Sequence, residues 1–213
     1  MMSDRFNRGV VACALTAALS GITRGEIVQW PVADGGNGHF YEVVEAPKGI
    51  AWIDATIDAE TRNGFLVTIT SPAENAFVFD LISDPALWSP DTNNAETSFW
   101  LHGPWIGLQQ DADAVEPAGG WSWVDDEGPL GWSNWYPGEP NNTYYPNYDL
   151  YEDVAHFLAF DTSPEIVPAP TWNDRPDSLN PVPVISYVIE YIPAAPTIAP
   201  IAIGAMFLTR RRR

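Results

Sequence analysis

Between Trp88 and Trp172 no helical period runs through the chain, yet eight of its ten tryptophans lie there. An irregular backbone must still bury apolar surface, and an indole buries more of it per residue than any other side chain, so most of these rings are expected in a core. From Asp125 to Tyr151 the sequence is rich in Gly, Pro, Asn and Tyr, with no sustained period. A loop that long inside a compact domain usually carries function.

Regular elements flank this stretch. His39 to Val44 reads as a strand, and Ile50 to Arg62 as a helix with Ile50, Ile53 and Ile57 near helical spacing, stopped by Asn63-Gly64. Phe65 to Thr70 is apolar and β-branched, which predicts a strand. Ser71-Pro72-Ala73-Glu74 is a capping box with proline in the first turn, opening a second helix that carries Phe77, Val78, Leu81 and Ile82. After a polar, Asn-rich loop from Ser83 to Ser98, strands are expected at Trp105–Leu108, Trp121–Val124, Val154–Phe160 and Tyr187–Tyr191. The sum is an α+β domain: two helices packed on small antiparallel sheets, with a long irregular loop and no internal repeat.

Charge narrows the partners. From Glu26 to Pro193 only Lys48, Arg62 and Arg175 are basic, against 27 acids, a net charge of −24 within a chain of −18. Nucleic-acid binding needs a basic stripe, and none is present. Such a field concentrates cations, and it also keeps a protein soluble.

The two ends differ from the middle. Arg5 and Arg8 precede the apolar run Val10 to Ile22, the layout of a secretory signal, so residues 1–25 are read as a signal peptide and 30–192 as the folded domain. The single cysteine, Cys13, falls in that run, so the mature chain is expected to hold no disulfide. Residues 193–213 combine prolines 193, 196 and 200, an apolar segment Ile198 to Leu208 and Arg210 to Arg213. About eleven apolar residues fall short of the roughly 20 that span hydrocarbon as a transmembrane helix. This end resembles the bacterial PEP-CTERM type of sorting tail, with Pro193-Ala194-Ala195-Pro196 in place of its Pro-Glu-Pro. The resemblance implies an exported protein, extracellular or at the cell surface, with membrane contact only through the tail, which a sorting protease processes.

Separated polar motifs punctuate the middle: Glu139-Pro140-Asn141, then Glu152-Asp153, then Trp172-Asn173-Asp174, with Trp105-Ile106-Gly107-Leu108 upstream. Glu, Asn and Asp present hard oxygen donors, of which a cation such as calcium takes six to eight. Zinc is disfavoured, because the only imidazoles, His39, His102 and His156, are scattered.

In this order the motifs, together with Gly64-Phe65-Leu66-Val67-Thr68-Ile69 followed by Ser71, Glu74 and Asn75, resemble the C-type lectin domain over about Phe40 to Tyr191. The resemblance implies a C-type lectin-like fold and a Ca2+ site built from Glu139, Asn141, Glu152, Asn173 and Asp174. Of these, Glu139, Asn141, Glu152 and Asn173 would also bind carbohydrate, because two neighbouring sugar hydroxyls coordinate the ion directly. Pro140 would follow a cis peptide bond that turns Glu139 and Asn141 toward the ion. The Glu-Pro-Asn order goes in that family with mannose-type sugars, so glycans with vicinal equatorial hydroxyls are the expected partners. Asn142 and Asp153, beside Glu152, fit the later half of a second metal site, whose earlier half near Gln109 to Glu116 matches poorly. Tyr144, Tyr145 and Tyr148 offer rings that could pack on a sugar or simply fill the loop.

The chain departs from the family at Val154 and Val188, where cysteines are common, and in the longer stretches Ser83 to Trp100 and Thr162 to Thr171.

Two other functions compete. One is a protein- or surface-interaction module of the same fold, with calcium only ordering the loop or absent. The other is a glycosidase using Asp125, Asp126 or Glu127. Enzyme motifs are missing: there is no Gly-x-Ser-x-Gly, no His-Glu-x-x-His and no phosphate loop. The reading is therefore a binding protein and not an enzyme.

Overall fold

A computed structural model describes residues 25–91, 99–125, 130–162 and 165–193. Nearly all of the signal segment, with Cys13, all of the tail beyond Pro193, the Asn-rich residues 92–98 and the acids Asp126 and Glu127 lie outside them.

Strands β1 (Ile27–Gln29) and β2 (Phe40–Glu45) lead into helix α1 (Trp52–Thr61). The short β3 (Phe65–Leu66) precedes helix α2 (Pro72–Ile82). Then follow β4 (Ser89–Asp91), β5 (Phe99–Gln110), β6 (Trp121–Trp123), β7 (Val154–Asp161), β8 (Thr171–Arg175) and β9 (Ser186–Tyr191). The pairings form one continuous nine-stranded network, ordered β1-β2-β9-β5-β7-β8, with β3 on β9 and both β4 and β6 on β5. Small antiparallel sheets were expected, and the antiparallel groups on β9 and on β5 are joined into one. The union comes from one parallel pairing, Trp105 with Tyr187, where β5 meets β9.

Helix α1 buries a different stripe from the one its isoleucines suggest. Ile53 and Ile57 are 47% and 54% exposed, while Trp52, Ala55 and Ala59 are buried. The alanines let the helix come close to the sheet, and the Trp52 indole N–H donates to the Ile106 carbonyl at 2.8 Å. Helix α2 starts as its motif predicts, with Ser71 Oγ accepting from Glu74 N–H at 3.2 Å. The return half of the box is displaced by one residue: the Glu74 carboxylate takes the Thr70 N–H at 2.8 Å and its hydroxyl at 2.9 Å.

That displacement also explains why β3 stops early. Val67 still donates to Val188 O at 2.9 Å, but the Thr68 N–H turns to the Glu190 carboxylate at 3.0 Å. Buried side chains replace the ladder there. Strand β5 runs eight residues longer than Trp105–Leu108, because β4 and β7 flank its first half. Sequence reading missed β4, where Pro90 sits, a residue that sheets tolerate at an edge.

Six of the ten tryptophans are buried. Trp172 is the hub of one cluster: Trp123, Trp132 and Trp135 pack edge-on against it at 5.4 to 6.0 Å, and its indole N–H donates to Asn75 Oδ1 at 2.9 Å. Trp52, Trp105 and Tyr187 anchor a second cluster under α1. Val154 and Val188 are both buried, one in each cluster, as apolar packing in place of a cross-link.

Candidate functional site

Antiparallel partners point to the same sheet face, and residues two apart on a strand share it. Asp91 of β4 lies opposite Trp100 of β5, Trp100 opposite Phe160 of β7, and His102 opposite Leu158. His156 of β7 lies opposite Asn173 of β8. One face thus carries Asp91, Trp100, His102, Leu158 and Asn173. The long loop folds against it and encloses a cleft of about 290 Å³, completed by Glu139, Asn141, Thr143, Tyr145 and Glu152.

Backbone N–H groups fix the loop. The Asp174 carboxylate accepts from the Asn141 N–H at 2.9 Å and the Asn142 N–H at 2.7 Å. Glu152 accepts from the Thr143 N–H at 2.9 Å and the Tyr145 hydroxyl at 3.1 Å. Further back, Tyr136 N–H donates to Trp172 O at 2.8 Å and Trp172 N–H to Asn134 O at 2.9 Å, tying the loop to β8. The Glu139–Pro140 peptide is cis.

Four of the five expected ligand residues, Glu139, Asn141, Glu152 and Asn173, line the cleft together. Asp174 follows Asn173 on strand β8 and lies beside the cleft, not among the residues that line it. Its carboxylate instead abuts Glu139 and holds the loop backbone. Asn142 Oδ1 accepts from the Glu152 N–H at 3.3 Å, and the Asp153 carbonyl accepts from the Gln110 N–H at 2.8 Å. Neither residue of the expected second metal site lines the cleft. Of the loop tyrosines only Tyr145 does; Tyr144 and Tyr148 face solvent.

Electrostatics crowd one sign into this space. Burial, then the neighbouring Asp174 charge, pushes the Glu139 carboxyl up to about 7. The same two causes push Glu152 up to about 8, and burial raises Asp174. Glu139 Oε2 is buried and has no hydrogen-bond partner. Among the described residues no three His, Cys, Asp or Glu side chains gather closely enough to hold a metal by themselves. The expected donor set does not rely on acids alone, since Asn141 and Asn173 supply amide oxygens. Hard donors, an unpaired buried carboxylate oxygen and mutual repulsion fit a divalent cation.

Sequence reading missed Asp91, Trp100, His102, Thr143 and Leu158. The alternation of Trp100 and His102 was the available signal, but it lies beyond the recognisable part of β5.

No family model matches the chain. In sequence it is 34% identical over 112 residues to the perlucin-like protein of Mytilus galloprovincialis, covering 53% of this chain and 58% of that one. It is 29% identical over 128 residues to C-type lectin domain family 10 member A of Homo sapiens, covering 60% and 30%. The chain therefore spans little more than half of the first relative and about a third of the second. Both helices precede the long loop, and β2 pairs along its whole length with the closing strand β9. The fold is C-type lectin-like. Among solved structures, this lectin-like domain is similar to the cow C-type carbohydrate-recognition domain of CD23 in the presence of GlcNAc2Man3 oligosaccharide. That match has 23% identity and a TM-score of 0.46, over 74% of this chain and 90% of that one.

Proposed function

We propose that this lectin-like domain is an exported, calcium-dependent carbohydrate-binding module for mannose-type sugars. The observation that carries the reading is the convergence of Glu139, Asn141, Glu152 and Asn173 on one cleft, backed by the Asp174 carboxylate. These residues and Asp174 would hold the ion, which when bound supplies open coordination positions for two neighbouring hydroxyls. The side chains do the rest. The Glu139 and Glu152 carboxylates accept hydrogen bonds from those hydroxyls, and the Asn141 and Asn173 amides donate to them. Asp174 and Glu152 keep the loop backbone in place while this happens. Every role assigned here to these side chains is one of binding.

Residues 1–25 and 193–213 are assigned on the same footing to export and to sorting or anchoring at the cell surface. No helix among the described residues is long and apolar enough to cross a membrane.

Calorimetry on chelator-stripped protein tests the reading. Calcium is expected to bind at the cleft, mannose only afterwards, and chelation to abolish sugar retention. Glu139→Gln with Asn141→Asp is expected to shift preference toward galactose. Sugar binding that survives chelation unchanged overturns the shared metal–sugar network, and a double mutant with lower loop order but no change of partner favours a protein- or surface-interaction module.

A further inference from the structure

The cleft has a second wall that no sequence motif marks. Opposite the loop residues stand Asp91 and Trp100, cross-strand partners on β4 and β5, with Leu158 and His102 beside them. We propose that Asp91 and Trp100 read the part of the sugar ring that the vicinal hydroxyl pair leaves over: Asp91 accepts a hydrogen bond from a further hydroxyl, and Trp100 packs on an apolar C–H face. The inference rests on the carbohydrate reading above.

The volume sets the scale. About 290 Å³ lies at the lower edge of the roughly 300–1,000 Å³ of small-molecule pockets. Something the size of one sugar ring fills it and meets both walls. A site for the ion and two hydroxyls alone would need no second wall.

Both wall residues are held in place. The Trp100 indole packs on Phe160 at 4.3 Å between ring centres and lies 6.4 Å from Tyr136, so stacking on it costs little ordering. Behind Asp91 stands His102. Arg175 Nη1 lies 2.8 Å from His102 Nδ1, and a guanidinium only donates, so Nδ1 accepts and the ring hydrogen sits on Nε2. That N–H is buried without a hydrogen-bond partner and faces Asp91 Oδ2 at 3.9 Å. At that distance the N–H is a polar neighbour of the carboxylate and not its hydrogen-bond donor. A carboxylate has about four acceptor positions, so Asp91 can take a sugar hydroxyl beside its other contacts. His102 is thus a positioning residue, and Asp91 and Trp100 are the contact residues.

Titration of the full-length, calcium-loaded protein with methyl mannoside and its 2-deoxy and 6-deoxy analogues tests this. One of the two analogues is expected to bind about tenfold more weakly than the parent. In Asp91→Asn the parent is expected to weaken and that penalty to shrink, with calcium affinity unchanged. Trp100→Ala is expected to weaken all three sugars by a similar factor. If Asp91→Asn loses its near-ultraviolet tryptophan signal, Asp91→Ser takes its place in the same series. Unchanged affinity of the Asp91 variant for all three sugars overturns the second wall while leaving the calcium reading standing. Failure of the unaltered protein to bind the parent sugar overturns both.

Discussion

Buried carboxylates away from the cleft show how single residues set this protein's response to pH. The Tyr41 hydroxyl lies 2.8 Å from Glu74 Oε1 and 3.1 Å from Glu190 Oε1, while Asn37 Nδ2 donates to the same hydroxyl at 2.7 Å. One hydroxyl has one hydrogen, so a carboxyl proton is needed to satisfy both carboxylate contacts. Burial pushes Glu190 up to about 7, against the pull of His39 at 2.6 Å and the Thr68 N–H, with the Glu74 charge adding to the rise. Between 4.5, the unperturbed value, and about 7, the folded state keeps a proton that the unfolded chain has released. Stability from this group is therefore full below that window and lost as pH rises through it, by at most about 1.4 kcal/mol per pH unit. Urea unfolding with chelator from pH 4.5 to 7.5 measures it. The cleft carboxylates add slope of the same sign, so the readout is the difference from Glu190→Gln, which is expected to be flatter. Equal slopes for the two proteins would refute the assignment.

At the scale of elements, the Trp-Ile-Gly-Leu run owes its glycine to a close approach. Gly107 donates its N–H to Val67 O at 2.9 Å and accepts from Val124 N–H at 2.9 Å, so β5 is clamped between two neighbours. A Cβ at this position would run into the Leu66 carbonyl, which is backbone and has no rotamer with which to yield. Gly107→Ala is expected to destabilise by about 1–3 kcal/mol, read as a lower urea midpoint. An unchanged midpoint would mean that β3 and β5 part freely. Elements with a local signal were legible: the Ser71 cap, the Asn63-Gly64 stop and the apolar strands β7 and β9. Illegible were those decided by neighbours. The stripe of α1 followed the close packing of Ala55 and Ala59, not the isoleucines. Strand β3 was cut short by Glu190 and Glu74, and β4 exists only because β5 is there to pair with it.

For the whole molecule, 27 acids against three bases between Glu26 and Pro193 must be held in one fold that has no disulfide to help. A ligand that binds only the folded state stabilises it by mass action, by about 2.7 kcal/mol at a hundredfold excess over Kd. Calcium at that level is expected to raise the melting temperature by about 5–10 °C for a domain of this size. Melting with and without chelator checks this, and an unmoved midpoint would count against a folded-state calcium site. The fold couples the cleft to this stability, since Asp174 and Glu152 both rank as loop anchors and as members of the crowded acid set.

Sequence alone determined the donor chemistry and the helix caps, because oxygen type, proline position and capping pattern act within a few residues. It also placed Glu139, Asn141, Glu152 and Asn173 in one site through their resemblance to a known arrangement. Tertiary structure decided that Asn173 lines the cleft while the Asp174 carboxylate grips the loop backbone beside it, because consecutive strand residues take different directions. It also decided that Asp91 and Trp100 stand across from the loop, since only pairing between distant strands puts residues so far apart in the chain on a common face.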